Sequence, residues 1–232
     1  MPVGYVTRKE MVLGKVRVWD LPTRLFHWLL VALVVALVVS GEIGGAAMDW
    51  HMRFGYVVLS LLLFRVVWGF VGGHWSRFRS FVATPRTVIQ YVQTGGTPLQ
   101  SIGHNPLGAL SVLGLLGLLL LQVASGLFSD DEIATAGPLA HWASSAWVSL
   151  ATTYHTKIGK VLLIVLVQLH IAAILYYRLR KGENLVKPMV TGDKDLEFET
   201  PASLDHGRSR LLALVVWMVC GAVVAALVMG SA

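Results

Sequence analysis

Four of the eight histidines lie within or at the ends of long apolar segments: His27, His51, His155 and His170. Imidazole is a common ligand for metal ions, including haem iron. An ionisable side chain costs free energy in an apolar segment, so its presence there favours a functional role. These residues therefore predict ligand chemistry inside apolar helices.

The spacing of two of these histidines indicates how they could be arranged. Fifteen residues separate His155 from His170 on one apolar segment. On an α-helix this interval is about 22 Å long, and its net rotation is about 60°. One helix would therefore present an imidazole near each of its ends, toward broadly the same neighbouring region.

The composition defines the elements that must position these side chains. The chain has 232 residues, of which 55% are hydrophobic and 14% are charged, whereas a soluble domain has about 25% charged residues. This predicts an integral membrane protein. Five segments are apolar enough to cross a bilayer, which takes about 20 residues of helix, although the first is short at its N-terminal side: residues 25–41, 54–71, 106–127, 157–177 and 211–230.

The distribution of Lys and Arg predicts the direction of the chain. Most of them lie in the N-terminal tail, around connection 72–105 and in the connection before the fifth span. Only Arg53, Lys157 and Lys160 fall on the other side. By the positive-inside rule the N-terminus is cytoplasmic and the C-terminus is periplasmic. This asymmetry accounts for the net charge of +6 without a nucleic-acid partner.

The long connections carry structural signals of their own. Thr84-Pro85 and Asn105-Pro106 are typical of helix starts. A short interfacial helix is expected after Thr84, and Asn105 is expected to cap the third span, which Pro106 opens. Residues 139–150 are apolar and are expected to form a lid across the outer ends of the bundle. Residues 182–207 are expected to be a cytoplasmic loop. We divide the chain into a transmembrane domain, residues 1–190, and a loop with one additional helix, residues 191–232.

Depth in the membrane pairs the histidines. His27 should meet His170 near the inner surface, and His51 should meet His155 near the outer surface; we call these the inner pair and the outer pair. Two stacked bis-histidine sites suit two non-covalent haem b groups. One turn after each outer histidine comes a glycine that leaves room for a flat ring: Gly55 and Gly159.

Cationic side chains near the pairs are candidates for binding haem propionates. Arg65 lies fourteen positions after His51, near the inner end of its helix. It could pair with a propionate or extend to the interface. Arg24, Arg53 and Lys157 are further propionate candidates by depth.

With these residues in view, the chain resembles the prokaryotic cytochrome b561 family, which overlaps with the b-type cytochrome subunits of nickel–iron hydrogenases. The likeness covers roughly residues 18–191. It rests on residues 24–28, His51-x-x-x-Gly55 with Arg65, residues 103–108, His155, His170 and residues 181–186. The resemblance implies a four-helix bundle with two haems b, bound by the four histidines, and electron exchange with membrane quinone and a redox partner.

The sequence thus predicts an all-α integral membrane protein of the bacterial inner membrane. It consists of a four-helix haem-binding transmembrane bundle and a fifth C-terminal transmembrane helix, with short interfacial helices in two long loops. Membrane lipid surrounds it. The expected function is electron transfer between ubiquinone or menaquinone and a periplasmic partner such as a c-type cytochrome.

Three alternatives stay open at this stage. The protein could oxidise superoxide or another small reductant and reduce quinone, or it could anchor a hydrogenase-like complex. A non-redox metal transporter would normally add carboxylates at the midplane, and the predicted spans contain none. The sequence assigns no catalytic residue and leaves open whether this electron-transfer protein is also an enzyme. Assembly into a homodimer is a further alternative.

Overall fold

Residues 14–231 are described by a computed structural model of the protein, and five helices in this range are long and apolar enough to cross a membrane. The helices are α1 Leu21–Ile43, α2 Met48–Val71, α3 Phe78–Phe81, α4 Pro85–Thr94, α5 Pro106–Leu127, α6 Ser145–Thr153, α7 Lys160–Arg180, α8 Val186–Thr191 and α9 Gly207–Met229. Two short strands, β1 Gly14–Arg17 and β2 Asp193–Leu196, complete the described fold.

Helix α1 begins at Leu21 rather than at residue 25, because Asp20 caps it. The Asp20 side chain accepts a hydrogen bond of 2.8 Å from the backbone N–H of Thr23, and Pro22 occupies the first turn, where a missing N–H has no cost. The helix ends at Gly44, whose φ of 65° suits glycine. The short turn that follows brings α2 back against α1.

Two helix starts agree with the sequence prediction. Asn105 caps α5 by accepting a hydrogen bond of 2.8 Å from Gly108 N–H, and Pro106 opens that helix. Thr84 caps α4 in the same way, 3.3 Å from the Thr87 nitrogen. The short helix that Thr84-Pro85 predicted is therefore confirmed. Both caps satisfy backbone donors that a helix start leaves free.

The fourth span is longer than predicted. Helix α6, a π-helical turn at Tyr154–Gly159 and α7 form one continuous helix of 36 residues, Ser145–Arg180. The prediction of a lid at residues 139–150 is therefore wrong for residues 145–150, which belong to this helix. Ser144 caps α6. His155 lies ten residues inside this helix instead of at its start. The α-helical rotation assumed between His155 and His170 does not hold through the wider π-helical turn.

The segment 182–207, expected to be a plain loop, contains α8 and β2. Strand β2 pairs antiparallel with β1, with Gly14 opposite Leu196 and Arg17 opposite Asp193. The Arg17 guanidinium also donates a hydrogen bond of 2.6 Å to Asp205. These contacts cross the domain boundary drawn at residue 190. The sequence did not indicate the pairing because each strand has only four residues.

Helix α2 lies at the centre of the apolar core. Its residues Val58, Leu62 and Trp68 are almost fully buried, and α2 packs against α1, α5 and α9. On α9 the residues toward the core are small or medium in size, including Ala213 and Cys220. The fifth helix therefore adds to the bundle by packing on α2.

Candidate functional site

The two histidines of the outer pair face each other. His51 comes from the first turn of α2, and His155 comes from the π-helical turn of the fourth span. Their ring centres are 6.0 Å apart, and the rings are nearly perpendicular, at 89°. Two imidazoles that share one metal ion through bonds of about 2 Å place their ring centres roughly 6 Å apart. The separation fits two histidines that would bind one iron between them.

Backbone carbonyls hold both rings of the outer pair. The Nδ1 atom of His51 lies 3.0 Å from the carbonyl oxygen of Leu37, and that of His155 lies 2.8 Å from the carbonyl oxygen of Gln122. Since a carbonyl only accepts, each Nδ1 carries the proton and each Nε2 keeps a free electron pair. Metal-binding histidines are commonly oriented in this way.

A cavity of about 270 Å³ adjoins the outer pair. Its walls are mainly apolar side chains from α1, α2, α5 and the fourth span, among them Val34, Leu37, Val58, Leu119, Val123 and Leu163. Glu42, Asp130, Asp131 and Lys160 also line it, and Lys160 donates a hydrogen bond of 2.7 Å to Glu42. An apolar cavity with a few placed ligands is typical of a cofactor site.

Glycines bring the helices close to both rings. A Cβ atom at Gly41 would lie 3.3 Å from the His51 ring, and one at Gly126 would lie 2.8 Å from Cε1 of His155. The Cα of Gly55 borders open space and lines the cavity. Gly159 instead packs against the side chains of Gln122 and Tyr154. The sequence did not indicate Gly126, since its role depends on how α5 packs against the fourth span.

The inner pair comes from α1, which carries His27, and from α7 in the fourth span, which carries His170. The Ser111 hydroxyl is 3.4 Å from Nδ1 of His170, while Nδ1 of His27 is buried without a partner within residues 14–231. His104 packs nearby, between the rings of Trp19 and Phe81.

Arg65 is a buried cation near the inner end of α2. Its side chain is almost fully buried, with only 3% of the residue exposed, and its guanidinium lies 5.2 Å from the centre of the Phe78 ring. Its Nη1 atom is buried and has no hydrogen-bond partner in the described part of the chain. A buried guanidinium with a free donor is suited to bind a carboxylate.

The other predicted cations have different surroundings. Arg24 donates a hydrogen bond of 2.6 Å to the carbonyl of Val190. Arg53 lies over the Trp50 ring, 5.1 Å from its centre. Lys157 lines an adjoining polar cavity that includes Asp130 and Glu132. The structure therefore does not bring Arg53 or Lys157 to the wall beside the outer pair, where Lys160 lies instead.

Asp131 orders the loop at the edge of the outer cavity. Its carboxylate accepts hydrogen bonds from the backbone N–H groups of Thr135, Ala134 and Ile133, at 2.8 to 2.9 Å. These bonds stabilise the charged form and lower the pKa of Asp131 to about 2. The loop is therefore held by an ionised carboxylate.

The donor sets favour haem over a bare metal ion. Within residues 14–231, no cluster of three or more His, Cys, Asp or Glu side chains is arranged to hold a metal. Two histidines alone are too few ligands for a structural zinc site, whereas haem iron needs the protein only for its axial positions. Opposed histidines, an apolar cavity and a free buried guanidinium define the class of membrane b-type cytochromes.

Comparison with known proteins agrees with this class. Residues 18–192 match the sequence model of the prokaryotic cytochrome b561 family, and the chain belongs to this family. The predicted resemblance is thereby confirmed over almost the same range, and membership implies haem b as the cofactor. No solved structure matches the chain.

Curated relatives carry related names. A probable Ni/Fe-hydrogenase B-type cytochrome subunit of Azotobacter vinelandii is 29% identical over 222 residues, which cover 80% of this chain and 91% of the relative. The protein with this name from Bradyrhizobium diazoefficiens is 24% identical, over 80% of this chain and 89% of its own length. A probable Ni/Fe-hydrogenase 1 B-type cytochrome subunit of Escherichia coli K12 is 27% identical over 50% of this chain and 61% of its own length.

Proposed function

We propose that this protein holds two non-covalent haem b groups and transfers electrons between membrane quinone and a periplasmic redox protein such as a c-type cytochrome. The observation that carries the proposal is the outer pair, whose rings face each other at 6.0 Å. Haem, when bound, supplies reversible one-electron chemistry, while the protein supplies ligands, orientation and electrostatics.

At the outer site, Nε2 of His51 and Nε2 of His155 would bind the iron from two helices. The carbonyls of Leu37 and Gln122 hold the protonated Nδ1 atoms, so both rings keep their orientation. Apolar side chains from the surrounding helices line most of the site. Gly41 and Gly126 allow their helices to approach the rings.

At the inner site, His27 and His170 would hold the second group. Arg65 would bind a propionate there, because its buried Nη1 has no other partner within residues 14–231. Since His155 and His170 belong to one continuous helix, that helix would contribute a ligand to each site. This arrangement supports two haems at different depths.

The charges near the outer cavity bear on the partner. Glu42 neutralises Lys160, and Asp130 and Asp131 add two carboxylates to the lining. These carboxylates give the outer cavity a negative potential. Such a potential repels a small anion such as superoxide and attracts a cationic protein surface. The outer site therefore supports a protein partner more than it supports direct oxidation of superoxide.

A second candidate follows from the names of the relatives. Each is called a probable hydrogenase B-type cytochrome subunit, and two of them align over about nine-tenths of their own length. The corresponding proposal is that this chain is the membrane subunit of a hydrogenase-like complex. Co-purification of a hydrogenase subunit with the tagged full-length chain would support it. Recovery of the chain with a c-type cytochrome and without a hydrogenase subunit would favour the first candidate.

We place the protein in the bacterial inner membrane with its N-terminus in the cytoplasm and its C-terminus in the periplasm. The pairing of β1 with β2 supports the same side for residues 14–17 and 193–196. Reporter fusions after Arg79 and Lys194 should be active in the cytoplasm, and a fusion after Asp131 in the periplasm. A cytoplasmic result at Asp131 would reverse the assignment of inner and outer pairs.

The direct test is the haem content of the purified protein. We expect two haems b per chain, a reduced-minus-oxidised spectrum of low-spin b-type haem, and complete extraction of haem by acid acetone. A count of zero or one per chain contradicts the proposal of two bis-histidine sites, and haem that resists extraction contradicts non-covalent binding.

A further inference from the structure

Gln122 contacts His155 through two hydrogen bonds. Its backbone carbonyl accepts from Nδ1 of His155, and its side-chain Nε2 donates to the backbone carbonyl of His155, each at 2.8 Å. One residue of α5 thus binds both the ring and the main chain of the same histidine. The first of these bonds needs only the backbone, whereas the second requires the side chain.

The second bond reaches an unusual piece of helix. His155 belongs to the π-helical turn Tyr154–Gly159, in which each backbone bond spans one residue more than in an α-helix. Such turns are rare and often occur at functional sites. A donor from α5 on the His155 carbonyl stabilises the main chain at the point where this turn sets the direction of the ring.

Gly159 provides the space that the Gln122 side chain uses. A Cβ atom at position 159 would collide with Oε1 of Gln122 and would lie 2.7 Å from the ring of Tyr154. The glycine of the pattern His155-x-x-x-Gly159 is therefore explained by the path of an amide, and not by direct contact with the cavity.

A buried amide at this position needs a reason. Gln122 lines the outer cavity, and its Oε1 is buried without a hydrogen-bond partner in the described residues. Burying a polar atom without a partner costs free energy, and a leucine would fill the same space without that cost. The bond from Nε2 to the His155 carbonyl is what the amide contributes.

We propose that Gln122 is a positioning residue for His155: its amide holds the π-helical turn in the geometry that directs the imidazole toward His51, and Gly159 is required for it to do so. This inference rests on the proposed role of the outer pair as haem ligands. It adds a residue and a backbone geometry that act through the ligand without binding the haem.

The test compares Gln122→Leu with the wild-type protein, both purified in full length. The substitution keeps the backbone carbonyl that binds Nδ1 and removes only the amide. We expect the outer haem to lose its low-spin bis-histidine signal in electron paramagnetic resonance, partly or fully, or to change its midpoint potential. The inner haem should keep its own signal, which also shows that the variant has folded.

Two further variants make the result specific. Gln122→Met keeps the length of the side chain and removes the donor, so it should resemble Gln122→Leu. Gly159→Ala should give the same outer signal, whereas Gly117→Ala, on an open part of α5, should match the wild type. In the double variant Gln122→Ala with Gly159→Ala, the change in the outer haem signal should be no larger than the larger of the changes in Gln122→Ala and Gly159→Ala alone. The two substitutions act on one contact, so their effects should not add.

Each outcome decides the inference. Unchanged outer signals in Gln122→Leu and Gly159→Ala would overturn it while leaving the proposed haem sites intact. Equal loss of both haems in every Gln122 variant would also overturn it, because the effect would not be confined to His155. A wild-type protein without a low-spin outer haem would instead refute the proposed function.

Discussion

Asp20 accepts a hydrogen bond from the indole N–H of Trp68, with both carboxylate oxygens 3.3 Å from Nε1. This contact joins the start of α1 to the end of α2. The same carboxylate, which is fully buried, also accepts from Gly73 N–H and from the Ser76 hydroxyl. Several donors of one end of the bundle therefore depend on a single side chain.

Substitution of Asp20 should destabilise the fold without touching a haem ligand. Asp20→Ala leaves several buried donors unpaired, and each costs about 1–3 kcal/mol, so we expect a loss of at least roughly 3 kcal/mol. Asp20→Asn keeps one accepting oxygen and should cost less. Thermal unfolding of the purified protein in detergent measures the difference. The exposed Asp49→Ala serves as control; an equal effect there would contradict the role of Asp20.

The pairing of histidines predicts which substitutions share an effect. His51→Ala and His155→Ala should each remove or alter one and the same haem, because each removes one of the two histidines that would hold the outer haem. His27→Ala and His170→Ala should alter the other. Optical and paramagnetic resonance spectra of the ferric protein distinguish the two components. If His27→Ala and His155→Ala changed the same component, the pairing by depth would be wrong. His141→Ala, in the outer loop, should change neither.

Arg65 should raise the midpoint potential of the inner haem, since a nearby positive charge disfavours the oxidised, more positive iron. Arg65→Leu is expected to lower that potential by on the order of 60 mV, a tenfold change for one electron. Arg65→Lys keeps the charge and should shift it less. Redox titration followed at the spectrum of each haem measures both values. A shift of the outer haem alone would show that Arg65 acts elsewhere.

The loop held by Asp131 should respond to acid. The pKa of this carboxyl in the folded protein is about 2, below its ordinary value of 3.8. Its stabilising effect is therefore complete above about pH 4 and is lost as the pH falls toward 2. Amide exchange at residues 133–135, corrected for the intrinsic effect of pH, should quicken across that window. Asp131→Ala should exchange quickly at every pH; protection that persists in this variant would contradict the prediction.

The sequence predicted the elements whose signals are local. Apolar length was enough to find five spans, and the pairs Thr84-Pro85 and Asn105-Pro106 marked two helix starts that the structure confirms. These predictions succeed because capping and hydrophobicity depend on neighbouring residues. The four histidines were identified as candidate ligands on the same basis, since each lies within or at the end of an apolar segment.

What the sequence did not indicate depends on contacts between distant segments. Gln122 and Gly126 stand in an unremarkable part of α5, and only the packing of α5 on the fourth span brings them to His155. The π-helical turn has no sequence signal that distinguishes it from an α-helix. The start of the fourth span at Ser145 was not predicted, because the apolar stretch 139–150 runs across it and hydrophobicity does not change at that residue.

The pairing of β1 with β2 constrains the order in which the protein can fold. Arg17 and Asp193 are 176 residues apart in the chain, and chains emerge from the ribosome with the N-terminus first. When β2 is made, α1, α2, α5 and α7 have all been synthesised, and α9 has not. The segment ahead of α1 must therefore wait for its partner strand. Its closure is a late step, possible only when both segments have been left on the same side of the membrane.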